Sequence, residues 1–171
     1  ADYTAVSKVN PETNSLLYRG YPVQELAEHC TFEEVAYLLW NGELPNEEQF
    51  AEFRGGCMEN RDIDEELIQI INFMPKDCHP MDVLRTAVSY LGAEDPEKFT
   101  PDSDHLRGIG RKLLAKLPTI VATDIRRRQG KEYIAPSKDK GFSENFLWMV
   151  FGDGEKSPAN IPSDIEAFEK T

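Results

Sequence analysis

The sequence is poor in the residues that carry most redox and metal chemistry. It has three cysteines, Cys30, Cys57 and Cys78, and three histidines, His29, His79 and His105, in 171 residues. The cysteine count is odd, no C-x-x-C pair occurs, and no Cys/His spacing matches a zinc site. Reduced, mostly structural thiols in a cytosolic protein are therefore expected. No apolar run approaches about twenty residues, which excludes a helical membrane span. The opening Ala1-Asp2-Tyr3 has neither a basic region nor a hydrophobic stretch, so no signal peptide is expected. Cations are scarce as well: 19 Lys and Arg stand against 31 Asp and Glu, for a net charge of −12. Broad nucleic-acid binding needs a surplus of cations, and so does an anionic membrane surface, so neither partner is expected. Anionic substrates stay open, because a local Arg cluster overrides net charge. The sequence also lacks G-x-S-x-G, H-E-x-x-H, a Walker loop and G-x-G-x-x-G. It has no internal repeat, low-complexity tract or heptad seam.

What is present is helical. The stretch from Cys78 to Gly92 organises the chain. Pro80 suits a first helical turn, Asp82 adds negative charge near the N-terminus, and Gly92 is a natural stop. Met81, Leu84, Val88 and Leu91 repeat at steps of three and four, and Val83, Ala87 and Tyr90 form a second apolar stripe beside them. Such a helix must be covered on both stripes. It reads as a central helix, buried in its own domain or against a second subunit.

Before it, Thr4 to Val9 alternates as a strand, Asn10 to Ser15 is turn chemistry, and Leu16 to Arg19 returns. Gly20-Tyr21-Pro22 closes this β-hairpin. A short helix follows from Val23 to Cys30, with Val23, Leu26 and Ala27 inward. Thr31 caps Phe32 to Trp40, with Glu34 completing a capping box. Asn46 and Gln49 form a second such box, and Asp62 or Asp64 opens a helix that Pro75 ends. After the central helix, Ala93 to Asp104 reads as a loop. A long helix then runs from about Asp104 to Gln129, with a kink or break expected at Pro118. Lys131 to Lys140 reads as a basic loop, Phe142 to Phe151 as an aromatic helix capped by Ser143, and Gly152 to Ser163 as a loop. Ser163 opens a last helix, Asp164 to Thr171. The expected fold is all-α with a short N-terminal β-hairpin, divided as 1–22 (hairpin) and 23–171 (helical, one incomplete domain).

No catalytic constellation stands alone. His79, just before a Pro at a helix start, satisfies local backbone groups more readily than it serves as an acid or base. His29 and His105 flank helix ends. Cys78, at a helix N-terminus, reads as a structural thiol. Arg126-Arg127-Arg128 with Lys131 is the one basic cluster; it either complements a helix C-terminus or grips a phosphate or carboxylate. Arg19, between Tyr18 and Tyr21, reads as half of a structural ion pair. Arg107-Gly108-Ile109-Gly110 lies inside a helical stripe and is not a phosphate loop.

Several blocks resemble the citrate synthase family. They are Thr4-Ala5-Val6-Ser7-Lys8-Val9, Leu17-Tyr18-Arg19-Gly20-Tyr21-Pro22-Val23, and Leu38-Leu39-Trp40-Asn41-Gly42-Glu43-Leu44-Pro45. His79-Pro80-Met81-Asp82-Val83-Leu84-Arg85-Thr86 and Lys116-Leu117-Pro118-Thr119-Ile120-Val121-Ala122 continue the match in the family's order. Asn14-Ser15-Leu16 and Ala135-Pro136 look nearest to the 2-methylcitrate synthases within it. The resemblance implies a mainly helical large domain, of which this chain is the N-terminal part. It also implies a homodimer packed through the helix Pro80 to Leu91. For the full-length enzyme it implies acyl-CoA and oxaloacetate as partners: an Asp deprotonates the acyl-CoA, one His stabilises its enol, a second His polarises the oxaloacetate keto group, and the thioester is hydrolysed. Propionyl-CoA would give 2-methylcitrate and place the enzyme in propionate catabolism, and acetyl-CoA would give citrate as in the tricarboxylic acid cycle. Acyl-CoA is then a substrate, and no cofactor or metal is implied. The family's H-G-G-A-N and G-F-G-H blocks and its catalytic Asp segment do not occur in these 171 residues. No catalytic or substrate-binding residue is therefore carried over, and the fragment alone is expected to be inactive. The alternatives are an acetyl-CoA enzyme and a non-catalytic helical dimerisation module.

Overall fold

A computed structural model describes residues 4–12, 14–96, 102–152, 154 and 157–170. The chain packs as two compact units, Ala1–Gly55 with Ser163–Thr171, and Gly56–Pro162.

The first unit opens with a three-stranded antiparallel sheet, β1 (Ser7–Asn10), β2 (Ser15–Tyr18) and β3 (Tyr21–Pro22). The register pairs Ser7 with Tyr18 and Asn10 with Ser15. The Asn10 side chain accepts from the Glu12 N–H at 3.0 Å, which builds the turn between β1 and β2. Sequence reading stops at a hairpin, whereas the structure adds β3, with Tyr18 opposite Tyr21. The extra strand follows from the turn at Arg19 and Gly20. Both have positive φ, 50° and 94°, and they fold Tyr21 straight back onto β2.

Helix α1 (Val23–His29) buries Leu26. Ala27, expected inward, is exposed. Helix α2 (Phe32–Asn41) has the expected capping box: the Glu34 N–H donates to Thr31 Oγ1, and Glu34 Oε2 accepts from the Thr31 N–H at 2.7 Å. It stops at Gly42, whose φ of 92° favours glycine. Helix α3 (Glu47–Glu59) opens on the Asn46–Gln49 box, with reciprocal bonds of 2.9 and 3.0 Å. Phe53 of α3 is buried and meets Tyr37 and Trp40 edge-on at 5.6 and 5.8 Å. Helix α8 (Pro162–Glu169) closes the unit. It was expected to begin at Asp164 and to run to Thr171, which lies outside the described residues.

The second unit holds α4 (Glu65–Phe73), α5 (Pro80–Glu94), α6 (Ser103–Arg128), α7 (Phe142–Phe151) and a 3₁₀ turn, Pro158–Asn160. Asp64, of the two residues considered, caps α4 by accepting from the Leu67 N–H at 2.6 Å. The core joins Ile63, Leu67 and Ile71 to Val83, Ala87 and Ile120. Each of the larger aliphatic side chains among them contributes about 1.5–3 kcal/mol by leaving water. The two stripes of α5 are therefore not equivalent. Val83 and Ala87 lie inside, Leu84, Tyr90 and Leu91 pack partly against them, and Met81 is 59% exposed. The stripe carrying Ala87 faces this chain's own core.

Helix α6 runs through Pro118 without the break that was one of the two expected outcomes there. Its neighbours explain why. Thr119 and Ile120 are buried, and the Thr119 hydroxyl donates to the Arg61 carbonyl at 2.8 Å. The cost of one missing N–H, about 3 kcal/mol, is opposed by the packing of the two residues that follow it. Helix α7 starts from Gly141 with no side-chain cap, and Ser143, expected to cap it, lies buried within its first turn. The 93–104 loop is shorter than expected, because α5 continues to Glu94 and Asp102 caps α6; residues 97–101 lie outside the described residues. In the 152–163 segment, residues 153, 155 and 156 lie outside them too.

Candidate functional site

The three consecutive arginines arise because α6 ends here. Gly130, with φ of 70°, turns the chain away, and the Gly130 and Lys131 N–H groups donate back to the Arg127 and Arg126 carbonyls at 3.0 and 2.9 Å. The arginine side chains are thus not needed for those helix ends. They go elsewhere. Arg127 donates to Asp124 Oδ1 through Nε at 3.0 Å and Nη2 at 2.6 Å, while Arg128 Nε donates to Asp124 Oδ2 at 2.8 Å. Asp124 and Arg127 are both buried. Arg127 also donates to the Met74 carbonyl, and Arg128 donates to the Lys76 carbonyl at 2.7 Å and to Cys78 Sγ at 3.7 Å. The Arg128 pKa is raised, chiefly by its hydrogen bond to Asp124. Arg126 points to another segment and donates to the Glu132 carbonyl and to the Val150 carbonyl at 2.9 Å.

This arrangement goes beyond both readings of the cluster. All three guanidiniums are committed to protein carbonyls and one carboxylate, so they make an internal clamp and no anion grip. Asp124 is the member that sequence reading missed. Its signal was the spacing i, i+3, i+4 to Arg127 and Arg128.

The other singled-out residues are also accounted for locally. His79 caps α5, its Nδ1 accepting from the Met81 N–H at 3.2 Å. Cys78 packs against the core beside Arg128. His105 Nε2 lies 2.9 and 3.0 Å from the two Asp95 oxygens, joining the end of α5 to the first turn of α6. His29 is exposed, 3.9 Å from Glu28. Arg19, expected in an ion pair, is held among the described residues by a backbone carbonyl. It donates to the Leu39 carbonyl at 3.1 and 2.6 Å, which ties the sheet to α2. Arg107 to Gly110 lie within α6.

The expected basic loop 131–140 is instead strapped down. Trp148 Nε1 donates to the Ala135 carbonyl at 3.2 Å, the Ser137 N–H donates to Asn145 Oδ1 at 2.7 Å, and Arg61 donates to the Ser137 and Lys140 carbonyls at 3.3 and 2.7 Å. Burial and the Asp62 charge push Tyr133 up to about 12, and partial burial with the Glu94 hydrogen bond does the same to Tyr90. Burial and Glu34 raise the Cys30 thiol. Each of these shifts runs away from neutral pH, where a proton-transfer group would need to sit. Among the described residues no three His, Cys, Asp or Glu side chains come together to hold a metal, and no helix is long and apolar enough to cross a membrane.

Comparison with known proteins adds what these residues do not carry. Residues 1–170 match the family model described as citrate synthase, C-terminal domain. The chain is 58% identical over its whole length to 2-methylcitrate synthase 2 of Corynebacterium glutamicum, covering 45% of that protein. It is 51% identical over 99% of its length to a citrate synthase of Mycolicibacterium smegmatis, covering 44% of it. The citrate synthase crystal structure from Pyrobaculum aerophilum superposes on 98% of this chain, with a TM-score of 0.85 and 30% identity, and 44% of that chain is covered. The chain therefore spans under half the length of these relatives.

Proposed function

The chain belongs to the citrate synthase family, and from that membership we propose that it is the N-terminal part of the large domain of a 2-methylcitrate synthase. In the complete enzyme the α-carbon of propionyl-CoA would lose a proton and attack the keto carbon of oxaloacetate. Water would then release CoA from the thioester and leave 2-methylcitrate. The observation that carries this reading is the identity of 58% with a 2-methylcitrate synthase over every residue of the chain, against 51% with a citrate synthase. The acetyl-CoA reaction is the second reading, supported by that same 51% relative. The catalytic groups lie outside these residues. The chain's own contribution is a scaffold, and these 171 residues alone are inactive.

We also propose self-association of the complete protein through α5, Pro80 to Leu91. The support is the outward side of that helix, where Met81, Arg85 and Ser89 are exposed. A reducing, cytoplasmic setting fits a chain with an odd count of three cysteines and no C-x-x-C pair.

CoA release tests the reaction. The complete polypeptide, given oxaloacetate, turns over propionyl-CoA with a higher kcat/KM than acetyl-CoA, and the 171-residue chain turns over neither. A preference for acetyl-CoA would replace the first reading by the second. Turnover by the isolated chain would show that the catalytic groups had been misplaced.

A further inference from the structure

The clamp at the end of α6 acts on one short connection, and its wiring is regular. Asp124 divides its two oxygens between two guanidiniums, Oδ1 to Arg127 and Oδ2 to Arg128. The nitrogens left over address every second residue of the α4–α5 connection: the Met74 carbonyl, the Lys76 carbonyl and the Cys78 thiol. Met74 and Cys78 also rest on the core around Val83 and Ala87. One residue later His79 caps α5, and Pro80 begins it. Connections are ordinarily the mobile parts of a fold. Here two planar donor forks, each oriented by the same carboxylate, fix both the position and the direction of the chain entering α5.

We propose that Asp124 is a positioning residue for α5, acting through Arg127 and Arg128 on residues 74–78, and that it thereby sets the helix face used for association with a second copy. The last clause rests on the self-association reading above; the first does not.

The experiment uses the complete natural polypeptide carrying Arg128→Gln, which removes the half-buried fork and leaves the buried Asp124–Arg127 pair in place. Two quantities are read on the folded protein: the labelling rate of Cys78 relative to Cys30 by a thiol reagent, and the dissociation constant of self-association by sedimentation. Cys78 is expected to label about ten times faster and the association to weaken about tenfold. Arg128→Lys keeps the charge but not the fork, so it falls between the two. It carries the test if Arg128→Gln does not fold. Unchanged labelling and unchanged association would overturn the proposal. Faster labelling with unchanged association would sever α5 from the clamp. If the unmodified polypeptide sediments as a monomer, the self-association reading falls. The labelling rate alone then decides whether the clamp positions the connection.

Discussion

Glu169 accepts a hydrogen bond from the backbone N–H of Phe32 at 2.6 Å, although 137 positions separate them. The bond caps α2 at a donor that its own capping box leaves over. Thr31 serves the Glu34 N–H and Glu34 serves the Thr31 N–H, so the Phe32 N–H needs an acceptor from elsewhere. The carboxylate also sits where the α2 dipole favours negative charge. The end of α8 thus completes the start of α2.

Glu169→Ala should therefore loosen the first unit. The expected loss is about 1 kcal/mol, the usual cost of an absent helix cap. Urea unfolding followed by the fluorescence of Trp40 in a Trp148→Phe background reports on this unit. An unchanged midpoint would mean that water replaces the carboxylate at no cost.

The split of the α5 stripes separates two substitutions. Ala87 is fully buried, so Ala87→Glu places an unpaired carboxylate among Ile71, Val83 and Ile120. The helical circular dichroism signal should collapse at room temperature, because such burial costs several kcal/mol, about 3–5. Met81→Glu, at a position 59% exposed, should leave that signal intact. If α5 is an association face, only Met81→Glu dissociates a still folded protein in sedimentation. A well-folded Ala87→Glu protein would show that Ala87 does not face the core.

Much of this was legible in the sequence where a rule has one outcome. The Thr31–Glu34 and Asn46–Gln49 boxes form because each offers a donor and an acceptor at the only spacing that closes both bonds. The helical stripes gave the elements for the same reason. Legibility failed where two outcomes share one pattern. Both α5 stripes are apolar, and only the positions of Ile71 and Ile120 decide that Val83 and Ala87 turn inward. The arginine cluster was visible, but its partner Asp124 was not singled out, because one acid on a long polar helix carries no mark of burial. Arg19 takes a positive φ that no residue-type rule assigns to arginine, so the third strand went unseen.

Alkaline pH should weaken the fold, and the sign follows from the tyrosines. Tyr133 and Tyr90 are raised from 10 to about 12 in the folded chain. The folded state then holds their protons where the unfolded state has already released them. Their contribution is complete below pH 10 and is lost as pH rises through about 12. Tyr133→Phe should flatten the fall of the urea midpoint between those two values. An equally steep fall in this variant would assign the loss to other groups.

Pro118 offers the sharpest test of how α6 is held. A proline inside a helix removes the bond to the carbonyl four residues earlier, here Leu114, and crowds it. The helix nevertheless continues from Ser103 to Arg128. Two accounts of this differ in what Pro118→Ala does. If buried Thr119 and Ile120 hold a helix that Pro118 strains, alanine restores the missing bond and raises stability. The helical gain of up to about 3 kcal/mol is reduced by about 0.4–1 kcal/mol, because the unfolded chain becomes freer. If the helix has relaxed around the proline, so that the Leu114 carbonyl is already satisfied, only the second effect remains and the variant is slightly less stable. The bond from the Thr119 hydroxyl to the Arg61 carbonyl favours the first account, because it pins the helix at the residue next to the proline and leaves little room for relaxation. The expected result is a rise in the urea midpoint for Pro118→Ala. The double variant Pro118→Ala with Thr119→Val should keep less of that rise, because the pin is gone. A lower midpoint in Pro118→Ala alone would establish that the helix accommodates Pro118 without strain.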